Sequence, residues 1–318
     1  MTERILFISA TRIGDAVLST GILSYILRTY PQARVTIACG PLVESLFQGV
    51  QNLDEIILIK KQPYNRHWWE VWKQVRGTKW DIVIDVRNSI VSRLIMAKKR
   101  YIYGASIPKN LHKVQQNALI IGVDEEQAQP RLFLTESQIN KAKVMIPDGR
   151  PVLAVAPVSN WICKTWPVEN FIELIHHVTR EGEKFSGWRV AVLAAPGEEK
   201  TAEQLFNRLP EDIRINAIAK GSPGEAAAYL SRCQFFIGND SGLMHCAAAA
   251  GIPTLGLFGP TNHHVYAAYG VKSSIIRTPE TAEDLLRVIE GQENSKLSSL
   301  MTSLRVEDVV AKLNTMPL

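Results

Sequence analysis

Cysteine is scarce and scattered: Cys39, Cys163, Cys233 and Cys246 form no C-x-x-C pair in 318 residues. That spacing argues against a zinc site and against the disulfide framework of a secreted domain, and it fits a reducing compartment. Long apolar runs are lacking as well. The richest stretch, Cys246 to Phe258, is broken by Gly251, Pro253 and Gly256 and is too short to cross a bilayer. Met1 to Ser9 has neither a signal-peptide apolar core nor a small-residue cleavage site, and reads as a first strand. A cytoplasmic protein is predicted. No internal repeat or low-complexity tract interrupts the chain. With 46% hydrophobic and 21% charged residues the composition is that of a globular protein. Its length predicts two domains of about 150 residues each.

Acidic residues are sparse in the first half. Residues 1–150 hold 21 Lys and Arg against 13 Asp and Glu, a net of +8, while the remainder nets −3. Such a half attracts anionic partners: a nucleic acid, a phosphorylated glycolipid or an acidic membrane. Equally, it is a soluble basic surface with no partner. The cations are dispersed and no nucleic-acid recognition module is present, which ranks nucleic acid last.

What is present is an alternation of short β-branched runs with amphipathic stretches, the pattern of successive β-α units. Strands are predicted at Arg4–Ser9, Arg34–Cys39, Glu55–Ile59, Asp81–Val86 and Tyr101–Gly104, with helices including Asp15–Arg28 and Trp68–Arg76. The breaker-rich Ile146 to Pro151 reads as a linker. A second series follows at Val152–Ala156, Val190–Ala194, Ile213–Ala217, Phe235–Gly238, Thr254–Phe258 and Ser274–Arg277. Near-continuous apolar strands imply parallel sheets covered on both faces. The fold class is therefore α/β: two Rossmann-like, doubly wound parallel-sheet domains facing a central cleft, with ligands beyond the carboxyl ends of the strands.

Four strand ends carry candidate chemistry. After the first strand, Gly14 allows a tight turn and Asp15 begins a helix, either as a simple N-cap or as a carboxylate that accepts a proton. After Val152–Ala156, the loop from Pro157 to Pro167 offers Lys164, either a solvated cation or a phosphate ligand. After Phe235–Gly238, Asp240, Ser241 and Gly242 open a helix of very small residues. Its bare N-terminus, with unpaired N–H groups and a partial positive charge, suits a diphosphate. His245 lies one turn on, and Asp240 and Ser241 are also good caps. A Ser241–His245 hydrolase pair is disfavoured, because no strained G-x-S-x-G elbow surrounds the serine. Glu198 and Glu199 follow another strand, as ribose acceptors or first-turn dipole partners. Trp68, Trp72 and Val75 share a helical face, which reads as core more readily than as an interfacial membrane stripe.

Taken together, Ile13-Gly-Asp-Ala-Val-Leu-Ser-Thr20, Lys164-Thr-Trp-Pro167, Gly238-Asn-Asp-Ser-Gly-Leu-Met-His-Cys-Ala-Ala-Ala249 and Leu257-Phe-Gly-Pro-Thr261 resemble the ADP-heptose:lipopolysaccharide heptosyltransferase family of inverting glycosyltransferases. The resemblance covers essentially the whole chain and implies the GT-B fold. It implies an acceptor domain at 1–150, a donor domain at 151–300 and a terminal helix at 301–318 that packs back on the first domain. By likeness Asp15 is the catalytic base and Lys164 the donor-phosphate lysine. Gly14, Ser159, Asn160, Asp240, Ser241, Gly242 and His245 bind the donor, and Glu199 or Glu198 meets its ribose. No metal or cofactor is implied; the nucleotide sugar, ADP-heptose in this family, is a substrate. The acceptor implied is an anionic lipopolysaccharide core, with Arg12, Arg87 and Arg93, and further Lys98, Lys99 and Arg100, as phosphate contacts. Peripheral contact with the cytoplasmic face of the inner membrane goes with such an acceptor. The alternative is a nucleotide-sugar-binding protein of the same fold that has lost transfer. Two departures stand out: Asp-Ser-Gly where the family usually has Asp-Thr-Gly, and Thr20-Gly21 where it often has Thr-Pro.

Overall fold

Each β-branched run becomes a parallel strand and each amphipathic stretch a covering helix, in two units, Met1–Gln138 and Ile139–Leu318. The computed structural model describes residues 2–293 and 296–318. The first unit runs β1 (Arg4–Ile8), α1 (Ile13–Thr29), β2 (Arg34–Cys39), β3 (Leu53–Leu58), α2 (His67–Val75), β4 (Trp80–Asp85), α3 (Val91–Leu94), β5 (Ala97–Ile102) and α4 (Lys113–Ile121). Its strands form a parallel sheet in the order β3-β2-β1-β4-β5. Successive strand residues point to opposite faces. Leu6, Ile8 and Val83 therefore bury against Val71 and Val75 of α2 and Val91 of α3. Phe7, pointing the other way, meets the Phe47 ring edge-on at 6.3 Å. The tryptophans of α2 divide their roles: Trp68 and Trp72 pack against this core, and Trp69 faces solvent.

Helix α5 (Glu136–Met145) carries the chain into the second unit. There follow β6 (Val152–Ala156), α6 (Val168–Val178), β7 (Arg189–Ala194), α7 (Glu199–Arg208), β8 (Arg214–Ile218), α8 (Pro223–Leu230), β9 (Phe235–Asn239), α9 (Gly242–Ala249), β10 (Thr254–Phe258), α10 (His263–Tyr266), β11 (Ser273–Arg277), α11 (Ala282–Val288) and α12 (Val306–Asn314). The sheet order is β11-β10-β9-β6-β7-β8, again parallel. Phe171, Leu174 and Ile175 of α6, Leu205 of α7 and Val309 and Leu313 of α12 share one core with Leu153, Val192, Ile237 and Leu257 of the sheet.

The terminal helix has its core packing in the second unit. Val306, Val309 and Leu313 spend their apolar face there, with α6 as the helix they meet. Two expectations need correction. The division between units falls at Gln138 and not at residue 150. Pro147 and Gly149 end α5 and start β6, and that segment is tied to the second unit. The Arg232 guanidinium donates to the Ile146 carbonyl and to Asp148, both at 2.6 Å. Finally, β5 begins four residues before the predicted Tyr101, because Ala97 to Arg100 lies on an edge strand, where exposed Lys and Arg are tolerated and hide the pattern.

Gly21 explains the Thr20-Gly21 departure. Helix α1 passes so close to the chain at Ala128 that a Cβ on Gly21 would lie 1.7 Å from the Ala128 carbonyl oxygen. Thr20 Oγ1 accepts the Arg131 N–H at 2.9 Å beside it. Close approach also governs α9. A Cβ on Gly256 of β10 would fall 2.5 Å from the Met244 sulfur, so the small residues bring this helix hard against its sheet.

Candidate functional site

In a doubly wound sheet the crevice opens where two neighbouring strands send their connections to opposite faces. In the second unit that point lies between β6 and β9, adjacent in the sheet with β7 and β8 on one side and β10 and β11 on the other. The loop after β6 carries Lys164, and the turn after β9 carries Asp240 and Ser241. They meet: Lys164 Nζ lies 3.3 Å from Asp240 Oδ2, and His245 Nε2 lies 3.9 Å from Asp240 Oδ1. Asp240 and His245 are buried and Lys164 is 15% exposed. Ser241 is the N-cap of α9, with its Oγ accepting from Met244 N at 3.5 Å, and Gly242 is the first helical residue. The cation and the helix N-terminus are thus brought to one place around a single carboxylate.

The Lys164 loop is fastened at several points. Asn239, fully buried at the end of β9, accepts from Trp166 N and donates to the Pro157 carbonyl, both at 2.9 Å. Trp166 Nε1 donates to the Leu304 carbonyl at 2.9 Å, and Ser299 Oγ donates to the Thr165 carbonyl at 2.7 Å. Inside the loop, Ser159 Oγ lies 3.0 Å from Thr165 Oγ1, while Asn160 is exposed. Such fixing removes the entropy that a mobile lysine would lose on meeting an anion. Glu198 and Glu199 begin α7 after β7. Each carboxylate accepts a backbone N–H of its own turn, Glu198 from Ala195 at 3.0 Å and Glu199 from Gly197 at 2.8 Å. Burial, chiefly, raises Glu198 above the ordinary glutamate value, with the Lys164 charge opposing it, so those two side chains share one electrostatic neighbourhood. Glu199 is lowered by the N–H groups it accepts.

The first unit has its own reversal between β1 and β4. Gly14 and Asp15 follow β1 in the first turn of α1. Arg12 holds the N-cap position, so Asp15 is the third helical residue and not the cap. Its carboxylate is half-buried, and its charge acts on Lys113 at the start of α4. Desolvation lowers the Lys113 ammonium, Asp15 pulls it back up, and the ammonium lies 4.5 Å from the centre of the Tyr103 ring. Arg87, after β4, is half-buried 5.0 Å over the Trp68 ring, and burial lowers its guanidinium against the opposing charge of Asp85. Asp85 in turn accepts from Arg87 N, Ser89 N and Ser89 Oγ. Beside β1, β2 and β3 a cavity of about 310 Å³ is lined by Thr11, Arg12, Gly40, Pro41, Leu42, Ile59, Lys60 and Lys61.

Several sequence candidates are already engaged. Arg93 donates to Ser89 O and Asn88 Oδ1, Lys98 pairs with Asp81 at 2.6 Å, and Arg100 donates to the carbonyls of Ser92, Ile95 and Ala97. Neither Lys113 nor the Lys60–Lys61 pair stands out in the sequence, and Asn239 appears there only within the Gly238 to Ala249 motif. Lys113 carries no local signal, since only folding brings α4 to the start of α1. The cysteines are buried, and Cys39, Cys233 and Cys246 are pushed up to about 12, too high for nucleophiles.

The family model for glycosyltransferase family 9 (heptosyltransferase) matches residues 100–288. Lipooligosaccharide heptosyltransferase 2 of Haemophilus influenzae is 28% identical over 169 residues, 52% of this chain and 47% of that protein. The chain therefore spans about half the length of this curated relative. A glycosyl transferase family 9 structure from Veillonella parvula superposes with a TM-score of 0.78 at 21% identity, covering 98% of this chain and 96% of that one. The E. coli ADP-heptose lps heptosyltransferase II gives a TM-score of 0.74 at 18% identity, covering 98% and 97%. These likenesses show the fold, the two-domain α/β arrangement called GT-B.

Proposed function

The chain belongs to glycosyltransferase family 9, the heptosyltransferases, and from this we propose that it transfers heptose from ADP-heptose to an anionic glycolipid of the lipopolysaccharide core. The observation that carries the donor half is the meeting of Lys164, Asp240 and His245 at the N-terminus of α9. A lysine and a helix N-terminus both favour negative charge. A diphosphate leaving group gathers charge as the glycosidic bond breaks, and these groups stabilise it without a proton donor. Ser159, Asn160 and Gly242 line this donor site, and Glu198 or Glu199 accepts from ribose hydroxyls. The first unit receives the acceptor. Arg12, Lys60 and Lys61 around the cavity, with Arg87, supply positive charge for its phosphates or carboxylates.

Transfer needs one base. Asp15 takes the proton of the acceptor hydroxyl as that oxygen attacks the anomeric carbon from the side opposite the departing diphosphate, so the configuration inverts. Gly14 lets the substrate approach the backbone there. The charge of Asp15 acts on the Lys113 ammonium across the start of α1 and α4, so the carboxylate has a cation facing it on the first unit. No metal step is invoked. Among the described residues no three His, Cys, Asp or Glu side chains come together as a ligand set, and Lys164 with α9 does the work of a cation. A lipid-borne acceptor puts the reaction at the cytoplasmic face of a membrane, with the protein as a peripheral visitor.

Nucleotide release from ADP-heptose, followed with and without glycolipid acceptor, tests this reading. ADP release should require acceptor, and the product should show the inverted anomeric configuration by NMR. Asp15→Asn should lower turnover about 10²-fold with donor affinity nearly intact, the range of general-base catalysis. Near-normal turnover in that variant would remove Asp15 from the role.

A further inference from the structure

The positive charge of the first half is concentrated. Residues 60–100 contain 11 Lys and Arg and only 3 Asp and Glu, a net of +8, which equals the net charge of residues 1–150. All of these cations except Arg87 are exposed. Of the three carboxylates, Asp85 is buried and Asp81 is paired with Lys98. Only Glu70 stands among the cations, paired with Lys73. The same segment carries large apolar side chains in solvent. Tyr64, Trp69, Ile90, Leu94 and Met96 are between 51% and 97% exposed.

Those on α2 and α3 are gathered by the packing beneath them. Helices α2 and α3 contact each other and bury Val71, Val75, Val91 and Ile95 in one core, so their outer faces form one surface. Ile90, at the N-cap of α3, and Leu94 are one helical turn apart and point outward together. On α2 the Trp69 ring stacks on Trp72 at 4.5 Å, with Lys73 Nζ 5.7 Å from the Trp69 ring and the Arg76 guanidinium 4.9 Å from the Trp72 ring. Ahead of it Tyr64 stands almost wholly in solvent, in the left-handed region at φ 54°. Monomeric proteins rarely leave such apolar groups together without use. Aromatic rings flanked by long cationic side chains match a bilayer interface, where the rings enter the headgroup layer and the cations reach lipid phosphates.

We propose that the outer face of α2 and α3, with the Tyr64 turn, is a docking surface for an anionic phospholipid bilayer. The charge decides the occupant: Arg66, Lys73, Arg76 and Arg93 stand exposed on α2, at its two ends and on α3, with Glu70 as the carboxylate among them, and an anionic membrane matches that charge without a shaped acidic partner. Among the described residues no helix is long and apolar enough to cross a membrane, so attachment here is peripheral and reversible. The usefulness of the surface rests on the glycolipid reading, but the binding does not. Vesicles without acceptor test the one, and nucleotide release tests the other.

Flotation of the full chain with vesicles of phosphatidylcholine alone, or mixed with phosphatidylglycerol, gives the test. Binding should require the anionic lipid and weaken as salt rises from 50 to 500 mM. Arg66→Gln with Lys73→Gln should lower the partition coefficient about 25-fold, or about fivefold per cation. Trp69→Ser with Leu94→Ser should lower it roughly tenfold by removing apolar surface from the interface. All four side chains are exposed, and an unchanged melting temperature shows that each variant is folded. Failure to float with anionic vesicles would overturn the proposal, and so would undiminished binding by both double variants. Retention on a soluble polyanion without vesicle binding would also overturn it, assigning the charge to a nucleic-acid-like ligand.

Discussion

Replacing Gly21 with alanine sets a helix rule against a packing distance. In an exposed helix interior Gly→Ala stabilises by about 1 kcal/mol. In α1 the added methyl would lie 1.7 Å from Ala128 O, 2.4 Å from Ala128 C and 2.9 Å from Gln129 C, all backbone atoms that cannot rotate away. A carbon–oxygen contact needs about 3.3 Å, so α1 and the facing chain must separate by roughly 1.5 Å. Overpacking of this kind costs about 1–3 kcal/mol or more. The separation also strains the 2.9 Å bond from Arg131 N to Thr20 Oγ1, a loss of about 1 kcal/mol. The net expectation is destabilisation by about 2 kcal/mol, a fall in melting temperature of roughly 4–8 °C. Thermal unfolding followed by circular dichroism measures it. Gly77→Ala, with no atom within 4 Å of the new methyl, is the control and should stay within about 0.5 kcal/mol of the parent. Turnover should fall as well, since Asp15 rides on the same helix. An unchanged or raised melting temperature for Gly21→Ala would refute the packing argument.

The Lys164–Asp240 pair should behave as one unit. At 3.3 Å the attraction is about 5 kcal/mol at an effective dielectric of 20, before desolvation of both charges offsets much of it. Lys164→Met and Asp240→Asn should each destabilise by about 3 kcal/mol. A double-mutant cycle in urea should give a coupling of about 1–3 kcal/mol, and a coupling under about 0.5 kcal/mol would mean that the two do not share their charge. Glu198 gives a pH signature. Its folded value lies above the unfolded 4.5, so ionising it weakens the fold as pH rises from 4.5 through the folded value. Glu198→Gln should therefore be more stable than the parent at neutral pH, with the advantage gone below about pH 4.5 and donor affinity reduced. Parallel pH–stability curves for the two proteins would count against that sign.

Much of this was legible in the sequence because parallel strands buried on both faces must be apolar and their ends must turn. The apolar runs placed β2, β6 and β10 to the residue, and the motifs at Asp15, Lys164 and Asp240 stood where β1, β6 and β9 stop. Failures came where charge or breakers mask burial. The edge position of β5 allows Lys98, Lys99 and Arg100 in a strand, and Pro147 and Gly149 mark the end of a helix inside a unit and not the border between units.

Local order of this kind follows from the chain's own spacing: which segments are strands, which turn is tight, which carboxylate begins a helix. Partnership does not. The Lys164 loop is held by Asn239 on one side and by Ser299 and Leu304 on the other, and Lys113 feels the charge of Asp15 from a distant helix. Gly21 has to be glycine only because Ala128 passes over it. Such contacts depend on the winding of each sheet, which brings residues remote in sequence within hydrogen-bonding reach, and no spacing along the chain encodes that distance.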